Sequence, residues 1–218
     1  PKLARYINGK SQKLAVIYVN NDFGKGGQTT IKQLLANSPT QVVADISTDQ
    51  GQIDFSSAVI QAKQAGADAI FAYTNEEESA RLLRELRKQG WTKPVIGETT
   101  LTSSKVVELA GEAANGAVAH VGLTVEAPPL QDFGKRYQAL YNGVPDHNGV
   151  KGYTGMYILK AAIEKAGKVD QKAAAAAIRN SCFSATQHKG VLMDVCFDDK
   201  GDLDRESFMV EVKNGKQE

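Results

Sequence analysis

The stretch that decides the fold is Asp54–Trp91, DFSSAVIQAKQAGADAIFAYTNEEESARLLRELRKQGW. Asp54 is a helix-capping residue type, and the spacing of apolar residues after it predicts a helix that ends at Gly66. The apolar run Asp68–Thr74 predicts a strand, and Glu76–Gln89 predicts a second helix with three glutamates in its first turn, where negative charge suits the helix dipole. The predicted inward residues are Phe55, Ala58, Val59 and Ala62 in the first helix and Ala80, Leu82, Leu83 and Leu86 in the second.

The same alternation of strand and helix continues on both sides of this stretch. The further predicted elements are strand Lys13–Asn20, helix Gly26–Asn37, strand Gln41–Ser47, strand Pro94–Gly97, helix Ser103–Ala110 and strand Gly116–Leu123. Because parallel strands joined by helices need right-handed crossovers, residues 10–124 predict a doubly wound parallel sheet of the α/β class. Such sheets bind ligands at the carboxyl ends of their strands, which here are Asn20–Gly24, Ser47–Gln52, Thr74–Glu76 and Gly97–Thr100.

The pattern changes after Val125. Glu126–Pro129 predicts a linker because its two prolines fix φ and lack backbone donors. Asp198–Asp202 predicts a turn. We therefore expect a complete lobe at 1–124, the helical part of another lobe at 125–197 and a C-terminal segment with crossover and closing strands at 198–218. The elements predicted after the linker are helices Leu130–Tyr141, Val150–Ala166 and Gln171–Arg179 and strands Gly190–Phe197 and Phe208–Lys213.

One helix of this second region lacks a covering layer. The apolar face formed by Met156, Leu159, Ala162 and Ile163 requires other apolar residues to bury it, and the predicted elements include no sheet that could do so. We therefore expect part of the second lobe to be absent from this chain.

Charge and hydropathy exclude several classes of protein. The 218 residues include 26 Lys and Arg against 25 Asp and Glu, a formal charge of +1, whereas nucleic-acid coats and anionic-membrane binders need a basic excess. No apolar stretch approaches the roughly 18 to 20 residues of a membrane-spanning helix, so we expect no membrane insertion. The chain starts at Pro1 without a basic, apolar leader, so we expect any secretion signal to have been removed or to lie outside this sequence.

Motifs for catalysis and cofactors do not fit. The glycines of Gly24–Thr30 follow a strand, but their spacing matches neither a phosphate-binding loop nor the dinucleotide pattern. A tight turn into the helix is the preferred interpretation. His120, His147 and His188 are scattered, and no Gly-x-Ser-x-Gly sequence occurs. These motifs therefore lead us to expect neither a bound cofactor nor an enzyme.

Two cysteines, Cys182 and Cys196, flank a segment that could loop out and return as a strand. They are either two buried thiols or a disulfide, and the choice depends on the compartment.

The order and content of the segments resemble the type I periplasmic solute-binding proteins of ABC transporters, specifically the branched-chain amino acid group. In the first region the resemblance is carried by KLAVIYVNNDFGKG, by the deciding stretch and by KPVIGETTLTSSKVVELAGEAANGAVAH. In the second it is carried by FGKRYQALYNGVP, GYTGMYILKAAIEKAGKVD, FDDKGD and VEVKNGK. The resemblance covers nearly the whole chain. It also implies that the N-terminal βα units of the family's first lobe are absent from this chain.

The resemblance implies a mechanism and a setting. Two lobes capture a small molecule, an amino acid or related carboxylate, and close about a hinge, here near Val121–Pro129, to present a closed face to a membrane permease. The compartment would be the periplasm, or the outside of a Gram-positive cell with a lipid anchor. The same lobes occur in ligand-sensing receptors and regulators, and a flavodoxin-like or hydrolase-type α/β enzyme is the other alternative.

The resemblance also implies ligand-binding residues. Phe23 matches an aromatic residue that packs against the ligand, and its alternative is a hydrophobic plug under the helix. Tyr73, Thr74 and Asn75 occupy a strand end that contacts ligand, although the aromatic residue of leucine-type members is replaced here by Asn75 or Glu76.

Two further positions complete the implied site. The acid that receives a ligand ammonium group aligns with Thr99, one position after Glu98, and a shift of one residue would restore it. Tyr153 is the candidate wall residue of the other lobe, with a core position as its alternative.

Overall fold

The computed structural model describes residues 2–123, 128–204 and 207–218. They form eight labelled helices, α1 (Lys2–Asn8), α2 (Asp22–Leu35), α3 (Ser56–Gln64), α4 (Glu76–Lys88), α5 (Ser104–Ala110), α6 (Pro128–Tyr141), α7 (His147–Ala166) and α8 (Gln171–Ile178), with 3₁₀ turns at Thr99–Thr102 and Gly111–Ala114. The described strands are β1 (Lys13–Val19), β2 (Gln41–Thr48), β3 (Ala69–Tyr73), β4 (Val95–Glu98), β5 (Ala117–Val121), β6 (Cys182–Phe183), β7 (Val195–Phe197), β8 (Leu203–Asp204), β9 (Phe208–Lys213) and β10 (Lys216–Gln217).

The chain forms two compact units. The first comprises Pro1–Val121 and Met209–Glu218, and the second comprises Gly122–Phe208. The predicted C-terminal segment 198–218 is therefore divided between the units, because its last strands join the sheet of the first.

The first unit is built on a seven-stranded sheet in the order β10-β9-β5-β4-β3-β1-β2. Strands β1 to β5 pair in parallel, and β9 pairs antiparallel with β10. Helices cover both faces of β1 and β3, which is why these strands are near-continuous apolar runs with almost no exposed residue. The predicted α/β class with a doubly wound, mostly parallel sheet is confirmed.

The two faces of this sheet carry separate apolar clusters. One contains Phe55, Val59, Leu83 and Leu86, and the other contains Ile7, Leu14, Ile31 and Phe71. The inward faces predicted for α3 and α4 are therefore confirmed. Helix α1, which the apolar pattern did not predict, contributes Ala4 and Ile7 to the second cluster.

The predicted start of α2 is wrong. We expected the helix to begin at Gly26 after a tight turn, but α2 begins at Asp22. Asn21 has an extended backbone conformation and its Oδ1 accepts a hydrogen bond from the Gly24 amide at 2.9 Å, which caps the helix and draws the glycines into its first two turns. In α3 the shift is smaller: the helix begins at Ser56, whose amide donates to Asp54 Oδ1.

The second unit packs α6, α7 and α8 with a three-stranded sheet in the order β6-β7-β8. The strand predicted at Gly190–Phe197 shortens to β7, because Gly190 has a φ of +88° and Asp194 Oδ1 accepts from the Ala185 amide. The turn predicted at Asp198–Asp202 is confirmed, since Asp198 Oδ1 accepts from the amides of Lys200 and Asp202.

The predicted linker is wrong in part. Pro128 begins α6. A proline is tolerated in the first turn of a helix because the amide hydrogen it lacks would have no helical partner there. The other linker residues, Glu126 and Ala127, and the centre of the predicted hinge lie outside the described residues.

The predicted unpartnered helix face is partly exposed in the second unit. Met156 and Leu159 are 66% and 39% exposed, whereas Ala162 is buried. None of the described helices is both long enough and apolar enough to cross a membrane.

Candidate ligand-binding site

The strand order of the first unit contains a switch point. From β1 the chain goes to β2 on one side and then to β3 on the other, so the connections after β1 and β3 diverge and leave a crevice at their carboxyl ends. Six of the predicted site residues lie at the carboxyl ends of β1, β3 and β4: Phe23, Tyr73, Thr74, Asn75, Glu98 and Thr99. The topology thus brings together six residues that lie in three separate parts of the sequence.

Phe23 is held at this edge by the first turn of α2. The turn lies so close to β1 that a Cβ at Gly24 would come within 1.8 Å of the Val19 carbonyl oxygen. Only glycine permits that approach. The Phe23 side chain remains 39% exposed, so it is not a buried plug in the first unit.

Tyr73 lies beside Phe23 at the end of β3. Their ring centroids are 4.5 Å apart with planes inclined by 37°, and Phe71 continues the contact at 5.8 Å from Tyr73. Burial raises the pKa of the Tyr73 hydroxyl to about 12, and the nearby carboxylate of Glu98 adds to the effect. The Tyr73 phenol is therefore neutral at physiological pH and lies within electrostatic range of Glu98.

Thr74 and Asn75 use their side chains differently. Thr74 is 1% exposed, and its hydroxyl lies 2.8 Å from Ser79 Oγ, so this side chain is occupied within the unit. Asn75 is half-buried at the N-cap of α4, and its Nδ2 donates to Glu78 Oε1 at 3.1 Å.

The loop after β4 presents Glu98 and Thr99. Glu98 is half-buried and its Oε1 accepts from the Thr100 amide at 2.8 Å, which caps the 3₁₀ turn that begins at Thr99. Another acid, Glu76 at the start of α4, accepts a hydrogen bond from the Ser103 hydroxyl at 3.0 Å. Ser103 also caps α5, because its hydroxyl oxygen accepts from the Val106 amide.

Tyr153 belongs to the second unit. Its ring packs 4.9 Å from that of Phe133 and 5.0 Å from that of Tyr157. A hydrogen bond from Arg136, followed by one with Tyr157, lowers the pKa of its hydroxyl. The side chain thus has an apolar body in a cluster and a polar tip at a cation.

The second unit also contains an apolar cavity of about 180 Å³ between α7 and the segment Leu192–Leu203. Ile158, Met193 and Phe197 are among the residues that line it, and Tyr153 is not.

The described residues contain a disulfide but no cluster of metal ligands. Within the ranges 2–123, 128–204 and 207–218, no three His, Cys, Asp or Glu residues are grouped so that they could hold a metal ion. Cys182 and Cys196 form a disulfide between directly paired residues of β6 and β7. The sequence left two interpretations of these cysteines open, and the structure contains the disulfide rather than two buried thiols.

Three contacts of the site were not predicted from the sequence. Gly27 lies against the Tyr73 ring, Ser103 holds Glu76, and Glu78 joins Asn75 to the loop after β2. The last has a signal in the sequence, because Asn75 and Glu78 have the spacing of a capping box. The other two join segments distant in sequence.

The family model for periplasmic binding proteins matches residues 1–217. This chain belongs to the periplasmic binding protein family. A Pseudomonas aeruginosa protein named for binding leucine, isoleucine, valine, threonine and alanine is 25% identical over 92% of this chain and 53% of its own length. The Leu/Ile/Val-binding protein homolog 3 of Brucella melitensis is 27% identical over 94% of this chain and 56% of its own length. The chain therefore spans about half the length of these curated relatives.

Solved structures share the fold of this periplasmic binding protein. A leucine-binding protein from Thermotoga maritima superposes with a TM-score of 0.89 at 23% identity, covering 100% of this chain and 62% of that one. An ABC transporter solute-binding protein from R. palustris in complex with benzoate has a TM-score of 0.86 at 18% identity, covering 99% of this chain and 59% of that one. The fold is that of type I periplasmic binding proteins, as the sequence resemblance implied.

Proposed function

We propose that this chain is part of an extracytoplasmic solute-binding protein of an ABC transporter, which captures an amino acid or related carboxylate between two lobes. The observation that carries the proposal is the contact of Phe23 with Tyr73 beside Glu98, at the strand-order switch of a sheet with this family's fold. The arrangement offers aromatic surface and a carboxylate together, and no step of bond-making is required of it.

The chemistry of the first unit favours a ligand that is apolar at one end and cationic or hydrogen-bond donating at the other. The exposed ring of Phe23 can pack against an apolar side chain, and a partly desolvated Glu98 carboxylate can pair with an ammonium group. Branched-chain amino acids have both features. The names of the curated relatives support this class, and the benzoate complex of a structural neighbour supports a wider range of carboxylates.

The setting follows from the same proposal. The ligand-loaded protein, closed about a hinge near Val121–Pro129, would present its surface to a membrane permease in the periplasm, or outside a Gram-positive cell while lipid-anchored. Tyr153 would be the ligand-site wall residue of the other lobe. Residues 1–124, together with the strands of 209–218 that complete their sheet, would form one lobe, and residues 125–197 would be part of another.

Isothermal titration of the full-length protein with leucine and with benzoate tests the proposal. We expect saturable heat with one of them and a loss of about tenfold in affinity for Phe23→Ala, because a packed aromatic anchor is removed. Leu34→Ala is the matched control, since Leu34 lies on the same helix and is 42% exposed. Absence of heat with leucine, other amino acids and benzoate, or equal effects of the two substitutions, would contradict it.

A further inference from the structure

Glu78 is a charged residue buried at the edge of the candidate site. It is 3% exposed, and its Oε1 accepts from the Gly51 amide at 2.7 Å and from Asn75 Nδ2 at 3.1 Å. One carboxylate oxygen therefore connects the loop after β2 with Asn75, the N-cap residue of α4.

This contact fixes which way the Asn75 amide points. The Asn75 Nδ2 group donates to Glu78 Oε1, so the NH₂ half of the amide faces the glutamate side chain. The Asn75 carbonyl oxygen Oδ1 must then point away from Glu78.

Nothing else in the described chain uses that oxygen. An asparagine at an N-cap normally accepts from an amide in the first turn, but the Asn75 side chain makes no such bond to α4. Within residues 2–123, 128–204 and 207–218, the hydrogen bond to Glu78 is the one that the Asn75 side chain makes. Its acceptor is thus left for a group from outside the helix.

The other partner of Glu78 is equally constrained. Gly51 has a φ of +79°, a conformation that favours glycine, and Arg81 Nη1 donates to the carbonyl oxygens of Gly51 and Gln52 at 3.3 and 3.0 Å. Glu78 and Arg81 together hold the loop after β2 by its amide and its carbonyls. The carboxylate is therefore anchored on both sides and cannot turn away from Asn75 without releasing the loop.

We propose that Glu78 is a positioning residue of the ligand site, which orients Asn75 so that its carbonyl oxygen is offered as an acceptor to an N–H or O–H group of the ligand. The inference rests on the proposed function in one respect, that the ligand reaches the end of β3. Asn75 and Glu98 would then both be acceptors, and the site would select for a ligand with a donor-rich end.

Two variants separate orientation from mere support. Glu78→Gln keeps an acceptor oxygen at the same place, whereas Glu78→Met keeps the length of the side chain and removes every acceptor. Both are compared with wild type in the full-length protein. Side-chain amide exchange of Asn75, measured by NMR on asparagine labelled with ¹⁵N, reports the orientation without any ligand. We expect one protected Asn75 amide proton in wild type and in Glu78→Gln, and none in Glu78→Met.

Binding of leucine and of 4-methylpentanoate, its analogue without the amino group, reports the consequence. We expect Glu78→Met to weaken the affinity for leucine about tenfold while it changes the affinity for 4-methylpentanoate less than about twofold. We expect Glu78→Gln to bind leucine as wild type does. Equal weakening of both ligands would reduce Glu78 to a structural role and overturn the inference. An unprotected Asn75 amide in wild type would also overturn it. If neither compound binds wild type, the amino acid proposal fails, while the exchange measurement still decides the orientation of Asn75.

Discussion

Gly27 lies directly against the ring of Tyr73: a Cβ atom at this position would come within 2.4 Å of ring carbons Cδ1 and Cε1. The first turns of α2 can therefore approach the end of β3 only because residue 27 has no side chain. That approach places Phe23 in contact with Tyr73.

Gly27→Ala is expected to lower the free energy of unfolding by about 1 to 3 kcal/mol, because the buried ring must move to admit a methyl group. Gly26→Ala is the matched control. It adds the same methyl group at the preceding position of the same helix, where nothing lies within 4 Å, and is expected to stabilise the protein by about 0.5 to 1 kcal/mol. Urea unfolding of both variants measures the difference, and a Gly27→Ala protein as stable as Gly26→Ala would contradict the close contact.

Thr74→Val tests the buried hydroxyl pair with Ser79. The change keeps the shape of the side chain and removes one partner of a 2.8 Å hydrogen bond, so we expect a loss of about 1 kcal/mol in the free energy of unfolding. Ser79 Oγ also donates to the Thr74 carbonyl, which limits the loss. Thr74→Ser, which keeps the hydroxyl, separates the hydrogen bond from the packing of the methyl group. Strongly reduced ligand affinity in Thr74→Val at unchanged stability would instead assign the hydroxyl to the ligand.

Removal of the disulfide is expected to destabilise the second unit. Cys182 and Cys196 are 14 residues apart, and a bridge closing a loop of about that length contributes about 3 kcal/mol in the chain-entropy model. The double variant Cys182→Ser and Cys196→Ser should therefore unfold at lower denaturant concentration than the oxidised protein and match the reduced wild type. A wild-type protein whose unfolding is unaffected by dithiothreitol would contradict the prediction.

His120 predicts a pH dependence of stability. Burial of its imidazole lowers its pKa in the folded state, and nearby positive charge including that of Lys2 adds to the effect. The unfolded chain then binds the proton more readily, so stability is full above the ordinary histidine pKa of about 6.5 and falls as the pH decreases below it. Thermal unfolding between pH 7.5 and 5.5 should show this loss, and His120→Asn should reduce it. An unchanged slope in His120→Asn would assign the loss to other groups.

Much of the fold could be predicted because its signal is local. The runs that became β1 and β3 are apolar without interruption, and α4 has its leucines at helical spacing, so periodicity alone located them. The start of α2 was misjudged because three glycines in six residues are typical of a turn, whereas here the Asn21 cap and the close approaches of Gly24 and Gly27 place them in the helix.

The candidate site could be predicted in position but not in its bonding. Parallel strands bring their carboxyl ends together, so Phe23, Tyr73 and Glu98 could be placed at one edge from their order in the sequence. The bond from Gly51 to Glu78 joins residues 27 apart, and no local pattern specifies which loop a buried carboxylate will hold. The capping-box spacing singles out Glu78 among the three glutamates of α4, but only the tertiary structure shows that the same carboxylate holds Gly51.

The sheet of the first unit takes β9 and β10 from residues that follow the whole second unit in the chain. During synthesis on the ribosome, the second unit can fold before residues 209–218 have emerged, whereas the first cannot complete its sheet. Until β9 arrives, β5 (Ala117–Val121) is an open edge strand that is apolar except for His120, and it could pair with other chains. Protection of this edge in the nascent chain is therefore as much a requirement for a working binding site as the residues that contact the ligand.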